Sequence, residues 1–315
     1  MEQLSHISNA EIVERFLSHI TSERRYSPLT VRNYRHDIEE FVRWGEQNSA
    51  NGGFSLREAQ AEDMREWIMH LSDEKRLKAA SVNRCVASLR SLYRYMRRME
   101  IIERDIFALI PSLKTPYRLP KFVPEGDMIG VVDHTLRLLH EGDWRQRRDA
   151  MMVLLLYSCG IRLAELAGIN DEDFENNFAT LRVRGKGDKE RLVPLAKRVR
   201  SEVRQFANQK FPPDICKNQE KALFLSKQAE RISRSDVQRS VARLLRECGV
   251  EGKCSPHVLR HTFATHLLND GADMREIQEL MGHASLSSTQ VYTHNNIAQL
   301  QRTYFAAHPR SKGIE

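Results

Sequence analysis

Apolar residues in the first hundred positions recur with the spacing of amphipathic helices. Ser27 and Pro28 form a helix start, a capping serine followed by a proline that suits the first helical position. The apolar positions that follow share one helical face: Val31, Tyr34, Ile38, Phe41 and Val42. Asn51-Gly52-Gly53 interrupts the pattern, so the sequence predicts a helix followed by a loop.

A second helix is predicted to begin near Ser81, and it carries two kinds of side chain. Its apolar stripe consists of Val82, Val86, Leu89, Tyr93 and Met96. Its other positions carry Arg84, Arg90, Arg94, Arg97 and Arg98. Taken alone, these arginines fit a solvated face paired with nearby carboxylates, but the candidate site in the second domain favours contact with a DNA backbone, each guanidinium reaching a phosphate.

A proline-rich segment divides the chain. Residues 111–121 contain three prolines and cannot continue a helix. They are predicted to form an extended basic linker between an N-terminal helical domain, residues 1–110, and a second domain, residues 122–315.

The second domain mixes helices with a short β element. The run from Arg147 to Ser158 predicts a buried helix. Apolar runs at 181–183 and 191–195 flank a glycine-rich turn and predict a β-hairpin. The expected fold class is therefore mainly α with a small β-hairpin or sheet, in a two-domain chain.

The charged residues are distributed unevenly between the two parts of the chain. The net charge is +7. Residues 1–110 hold 17 Lys and Arg against 17 Asp and Glu, whereas the remainder holds 32 against 25. Because a basic excess favours a polyanionic partner through counterion release, the second domain is the better candidate for contact with nucleic acid.

Several protein classes are not expected. The longest apolar run, Met151 to Tyr157, is too short to span a bilayer, and the N-terminus carries charged residues where a signal peptide needs apolar ones. We therefore expect a cytoplasmic protein without a membrane partner. No C-x-x-C pair occurs, so neither a zinc site nor a disulfide framework is expected from the five cysteines, Cys85, Cys159, Cys216, Cys248 and Cys254.

Ser255-Pro256-His257-Val258-Leu259-Arg260 predicts a helix start that could bind phosphate. Ser255 is a candidate N-cap, which places His257 in the first turn and Arg260 three residues later on the same face. An imidazole and a guanidinium at a helix N-terminus suit an anion. In isolation this pattern is more typical of a surface turn, and the neighbouring His261 and His266 are interpreted as structural.

Two further cations are candidates upstream. Arg162 opens a predicted helix after Gly160, and Glu165, on the same face, could hold its guanidinium. Lys186 lies on the hairpin turn. Taken alone, these residues fit an i,i+3 surface pair and an ordinary turn lysine.

The last candidates follow a predicted amphipathic helix whose apolar side carries Met274, Ile277, Leu280 and Met281. Gly282 is placed as its C-terminal cap and would present His283 just beyond the helix end. Nine residues later comes Tyr292, on a short helix capped by Ser287 or Ser288. A tyrosine in a helix is usually a packing residue, but polar neighbours surround this one.

The order Arg162, Lys186, His257-x-x-Arg260, His283 and Tyr292 resembles the tyrosine recombinase (integrase) family. The surrounding sequences Gly160-Ile161-Arg162-Leu163-Ala164-Glu165-Leu166, Gly185-Lys186-Gly187-Asp188-Lys189 and Met281-Gly282-His283 are similar to its Xer branch. Met281 and Ala284 stand where leucine and serine are usual.

The resemblance implies a two-domain, C-shaped clamp: a helical core-binding domain and a mixed α+β catalytic domain. It implies that Tyr292 attacks a DNA phosphate to give a 3′-phosphotyrosine, with Arg162, Lys186, His257, Arg260 and His283 as the other catalytic residues and Glu165 in support. No metal, ATP or other cofactor is expected.

The implied partner is a double-stranded recombination site, bound by a homo- or hetero-tetramer that can include a second Xer recombinase. A last helix, about Asn296 to Ala307, would dock on the neighbouring protomer; the alternative is that it packs onto its own domain. A DNA translocase at division is a further expected partner. The role favoured is resolution of chromosome or plasmid dimers. The alternatives are an integrase or transposase of a mobile element, a type IB topoisomerase-like relaxer, and a DNA-binding protein with a defunct site.

Overall fold

The chain divides into two compact units, Met1–Arg118 and Leu119–Glu315. The computed structural model describes residues 7–49, 53–116, 121–185, 189–210 and 221–282. Within these ranges the structure is mostly helical, as the sequence predicted, and no helix combines the length and apolar character needed to cross a membrane.

The described part of the first unit is helical. Its elements are α1 (Asn9–Ser22), α2 (Pro28–Asn48), α3 (Ala61–Met69), a π-helical turn (His70–Glu74) and α4 (Ala79–Arg98). Ser27 caps α2 and Pro28 is its first residue, as predicted. The apolar stripes of α2 and α4 meet in one core that includes Ile38, Phe41 and Leu89.

A buried carboxylate joins α2 to α4. Asp37 is fully buried and accepts hydrogen bonds from Arg84 Nη1 at 2.5 Å and from Ser88 Oγ at 2.7 Å. A buried charge is tolerated only when it is paired and hydrogen-bonded, so this contact fixes the relative position of the two helices.

The second unit contains most of the helices and the sheet. Its elements are α5 (Glu125–Glu141), α6 (Trp144–Cys159), α7 (Leu163–Gly168), β1 (Phe174–Glu175), β2 (Thr180–Arg184), β3 (Glu190–Pro194), α8 (Lys197–Asn208), α9 (Arg234–Glu247), α10 (Pro256–Asn269) and α11 (Met274–Met281). The strands form an antiparallel sheet in the order β1-β2-β3.

Helix α6 is the centre of this unit. Nearly all of its residues are buried, because α5, α8, α9 and α10 pack around it. The predicted buried helix 147–158 is therefore confirmed, extended by a few residues at its start. The predicted hairpin is also confirmed, since β2 pairs with β3 in a register that sets Val183 opposite Arg191.

Candidate active site

The junction between α6 and α7 presents the first candidate arginine. Gly160 ends α6 in the left-handed conformation, with φ of 57°, and a Cβ there would lie 2.3 Å from the Phe263 ring. Arg162 is the N-cap residue of α7. Its backbone N donates to Glu165 Oε2 and its Nη1 to Glu165 Oε1, both at 2.8 Å, so the predicted contact between these residues is present.

The start of α10 differs from the prediction in one respect. Pro256 is the first helical residue, as expected, but the Ser255 side chain does not cap the helix, and its buried Oγ makes no hydrogen bond within the described residues. Ser255 has φ of −162°, whereas the serines that cap α1, α2 and α9 have φ between −64° and −76°. The more extended backbone turns its hydroxyl away from the first-turn amides.

His257 and Arg260 lie on α10 in different environments. His257 is exposed, whereas Arg260 is 7% exposed. Arg260 Nη1 donates to the carbonyl of Gly160, and Nη2 donates to the carbonyl of Met281 at 2.6 Å. The shared face expected from the i,i+3 spacing therefore does not give the two side chains one environment: the imidazole lies at the surface, and the guanidinium binds the α6 terminus and the end of α11.

The carboxyl end of α11 binds three guanidinium groups. Arg191 Nε donates to the carbonyl of Leu280 at 2.9 Å, Arg260 Nη2 to that of Met281, and Arg162 Nη2 to that of Gly282 at 2.9 Å. The last carbonyls of a helix lack intrahelical partners and carry partial negative charge, so they attract cations. This attachment brings Arg162 and Arg260 to the same helix end.

Gly282 caps α11 in the left-handed conformation, as predicted. The apolar side of α11 is only partly as expected. Ile277 and Leu280 are buried and Met281 packs against the core, but Met274 is 49% exposed because it is the first residue of the helix and extends past the packed surface.

Arg191 is a site residue that was not identified from the sequence. Its Nη1 and Nη2 donate to Glu165 Oε1 and Oε2 at 2.9 and 2.8 Å, and its side chain is 7% exposed. The available signal was strand alternation, since Arg191 occupies the inward-facing set of β3 together with Val193. A charge at an inward position requires a buried partner.

The electrostatics of this cluster favour an anion. Burial alone would raise the pKa of Glu165, but hydrogen bonds and charge from Arg191, and then from Arg162, lower it to about 2. Burial, together with the neighbouring charges of Arg162 and Arg191, lowers the pKa of Arg260 to about 10. Three guanidinium groups and one carboxylate thus lie close together among the described residues of this cluster.

The two histidines interpreted as structural have structural contacts. His266 is buried, with Nδ1 3.0 Å from the Tyr157 hydroxyl and Nε2 3.0 Å from the carbonyl of Val123, and burial lowers its pKa. His261 packs edge-on against Phe122. Neither contact involves the arginine cluster.

The other catalytic candidates, Lys186, His283 and Tyr292, lie outside the described residues, as do Asn51, Gly52, Cys216, the serines at 287 and 288, and the helix predicted near 296–307. The strands on both sides of Lys186 are described. In the described part of the chain the four cysteines are free, and no cluster of His, Cys, Asp and Glu has the composition of a metal site.

Four of the five arginines on α4 have partners within the first unit. Arg84 pairs with Asp37, Arg97 with Asp105 and Arg98 with His19, while Arg90 donates to the carbonyl of Ile110. Arg94 is exposed and makes no hydrogen bond or ion pair among the described residues. Pairing with a nearby carboxylate therefore describes Arg84 and Arg97 alone, and contact of these five arginines with DNA stays a prediction.

Comparison with known proteins identifies the family. The phage integrase family matches residues 132–299, and the phage integrase N-terminal SAM-like domain matches residues 13–100. Tyrosine recombinase XerC of Psychromonas ingrahamii is 36% identical over 96% of this chain and 97% of that protein. Tyrosine recombinase XerC of Alcanivorax borkumensis is 37% identical over 99% of this chain and 98% of that protein.

Among solved structures, the XerH site-specific recombinase bound to palindromic difH substrate has the same fold, with a TM-score of 0.68. It is 19% identical, over 94% of this chain and 84% of that chain. The similarity to the XerC proteins extends over nearly the whole chain. The chain therefore belongs to the phage integrase family of site-specific tyrosine recombinases, within its Xer branch.

Proposed function

We propose that this protein cuts and rejoins double-stranded DNA at a specific site through a 3′-phosphotyrosine formed by Tyr292. The observation that carries the proposal is the cluster at the end of α11, where Arg162 and Arg191 pair with Glu165 and Arg260 binds the adjacent carbonyl, so that positive charge exceeds negative charge among the described residues of the cluster. A phosphodiester supplies the anion that this excess of positive charge requires.

Arg162 and Arg260 are the groups that hold the scissile phosphate. A guanidinium has five N–H donors, and two from each arginine are used by the protein contacts described, which leaves three on each for phosphate oxygens. Negative charge on the non-bridging oxygens grows as the transition state forms. Donors fixed in advance therefore stabilise the transition state more than the bound substrate.

The covalent step exchanges one phosphorus–oxygen bond for another and includes two separate proton transfers. The Tyr292 phenol oxygen bonds to phosphorus, the bond from phosphorus to the 5′-oxygen breaks, His257 accepts the phenol proton, and Lys186 donates a proton to the departing oxygen. A tyrosine with its usual pKa near 10 needs such a base. His283 adds a hydrogen bond to the phosphate. The exposed position of His257 leaves its imidazole accessible to a bound strand.

The phosphotyrosine conserves the energy of the phosphodiester, so rejoining requires only attack by a 5′-hydroxyl. The reaction then needs neither ATP nor a metal ion. We propose that four protomers, of this chain alone or with a second Xer recombinase, exchange strands between two duplexes in the cytoplasm. Membership of the Xer branch motivates the finer proposal that this exchange resolves chromosome or plasmid dimers at cell division, with a DNA translocase as partner.

The proposal is tested by trapping the adduct. Nicked duplex fragments from the host chromosome terminus are incubated with the protein, and any covalent complex is mapped to a nucleotide. We expect one discrete 3′ attachment site, lost in Tyr292→Phe with DNA binding retained. Tyr157→Phe, a buried tyrosine that contacts His266, is the matched control and should still form the adduct.

Other outcomes separate the alternatives. Attachment at sites flanking a mobile element would indicate an integrase, and relaxation of arbitrary supercoiled plasmid by single protomers would indicate a topoisomerase-like activity. Binding to one site without any adduct from the wild-type protein would refute the enzymatic proposal.

A further inference from the structure

Arg191 connects three elements of the candidate site. It lies on β3, pairs through both terminal nitrogens with Glu165 on α7, and donates from Nε to the Leu280 carbonyl in the last turn of α11. Every guanidinium nitrogen thus has a protein acceptor. With its Nε and both terminal nitrogens engaged, Arg191 has fewer N–H groups left for a phosphate than Arg162 or Arg260, each of which uses two.

Glu165 is shared between two arginines. Its Oε1 accepts from Arg162 Nη1 and Arg191 Nη1, and its Oε2 accepts from the Arg162 backbone N and Arg191 Nη2. Arg162 is different in exposure, since 39% of its side chain is accessible to solvent. The buried arginine therefore neutralises and orients the carboxylate, and the carboxylate orients the accessible arginine.

The same residue fixes the end of α11. Arg162 and Arg260 bind the carbonyls of Gly282 and Met281, which directly follow the Leu280 carbonyl that Arg191 binds. A Cβ on Gly282 would lie 3.1 Å from Arg191 Nη1, so backbone and guanidinium are in close contact. Loss of Arg191 would release both the carboxylate and the helix end.

We propose that Arg191 is a positioning residue of the recombination reaction, which holds Glu165 and the end of α11 so that Arg162 and Arg260 present their free N–H groups in one fixed geometry. The inference rests on the proposed function, because its readout is DNA cleavage. A displacement of about 1 Å in such groups lowers a rate by about 100-fold.

The test compares two buried arginines. Arg148 is also 7% exposed, pairs with a buried carboxylate, Asp149, and donates to a backbone carbonyl, that of Leu225. It lies eleven residues before the end of α6, about 16 Å along the helix from Cys159. Arg148→Met is therefore a matched control that removes a comparable ion pair away from the site.

Arg191→Met and Arg148→Met are each assayed for thermal unfolding, DNA affinity and single-turnover cleavage of a nicked duplex carrying the mapped site, from pH 5 to pH 9. Both should lower the Tm and leave DNA affinity within about threefold of wild type. Only Arg191→Met should lower the cleavage rate, by about 100-fold. Only in this variant should the cleavage rate fall further at acidic pH, because Glu165, having lost Arg191, becomes protonated there.

Arg191→Lys keeps the charge but loses the two-pronged contact. Compared with Arg191→Met, this variant should cleave faster and should not lose further activity at acidic pH. If Arg191→Met does not fold, Arg191→Lys takes its place in the comparison with Arg148→Met. Equal rates and equal pH profiles for Arg191→Met and Arg148→Met would overturn the positioning role. Absence of an adduct from wild type is a separate result, because it refutes the proposed function before any variant is compared.

Discussion

Arg191 and Glu165 form a two-pronged ion pair, with N–O distances of 2.9 and 2.8 Å, from which water is almost excluded. The two residues lie 26 positions apart and on different elements, a strand and a short helix. Because Arg162 and the end of α11 attach to the same pair, we expect its loss to lower the stability of this region and, under the proposed function, the rate of cleavage.

Glu165→Gln should lower stability in a pH-dependent way. The pKa of Glu165 is lowered from 4.5 to about 2, so its stabilising contribution is present above pH 4.5 and is lost as the pH falls toward 2. A shift of this size corresponds to about 3 kcal/mol near neutral pH. Urea unfolding at pH 7, 5 and 3 should show a difference from wild type that narrows with acidity.

Glu190→Gln is the control. Glu190 is an exposed carboxylate on β3, next to Arg191, and its replacement should change stability little at any of these pH values. A difference between Glu165→Gln and wild type that stays constant from pH 7 to pH 3 would contradict the assigned pKa.

Gly160→Ala should destabilise the protein through two separable effects. Alanine at a left-handed position costs about 1–2 kcal/mol, and its Cβ would also lie 2.3 Å from the Phe263 ring. Overpacking of this kind adds on the order of 1–3 kcal/mol. Gly249→Ala provides the comparison, since Gly249 has φ of 76° with no atom within 4 Å of the added Cβ.

Chemical denaturation of both variants measures the difference. The loss in free energy of unfolding should be larger for Gly160→Ala than for Gly249→Ala, and the difference is the contribution of overpacking against Phe263. Gly160→Ala should also slow cleavage, because the Gly160 carbonyl accepts from Arg260. Equal losses of stability in the two variants would show that Phe263 moves away from the added Cβ without lowering the free energy of unfolding.

Arg260→Lys should impair cleavage far more than binding. A lysine cannot reproduce contacts to the carbonyls of Gly160 and Met281 while also donating to a phosphate in a two-pronged geometry. We expect the single-turnover rate to fall about 100- to 1,000-fold, with DNA affinity reduced only a fewfold. Arg204→Lys, an exposed arginine on α8 whose guanidinium lies over the Phe178 ring, should leave the rate unchanged.

Two arginines on α4 should behave differently when replaced. Arg94→Gln removes a free surface cation. If α4 contacts DNA, the slope of log affinity against log salt should fall by about one, with stability unchanged. Arg84→Gln removes the cation that pairs with the buried Asp37 carboxylate. It should instead lower the free energy of unfolding by about 1–3 kcal/mol. Equal salt slopes for Arg94→Gln and wild type would remove Arg94 from the interface.

The sequence predicted the features that depend on neighbours along the chain. The contact between Arg162 and Glu165 follows from a three-residue spacing, and the left-handed cap at Gly282 follows from a glycine at a helix end. The β-hairpin followed from apolar alternation around a turn. Each of these is determined within a few residues, where spacing and backbone preference are enough.

Features that depend on packing were not predictable. The contact of Arg191 with Glu165 requires β3 to pack beside α7 and α11, and no local pattern specifies that arrangement. Ser255 has the right residue type for a cap, but the backbone entering α10 is too extended for its hydroxyl to reach the first-turn amides. Exposure of Met274 likewise depends on how far the packed surface extends beneath α11.

The attachment of Met281 and Gly282 to Arg260 and Arg162 also fixes the point from which the chain continues toward Tyr292. Tyr292 lies ten positions after Gly282. The Cα of Tyr292 can therefore lie no farther than about 35 Å from this origin. If Tyr292 is the nucleophile, as proposed, the number of residues in this segment sets an upper limit on the distance between the arginine cluster and the phosphate that is cut. Shortening the segment would lower that limit even in a protein whose arginine cluster is intact.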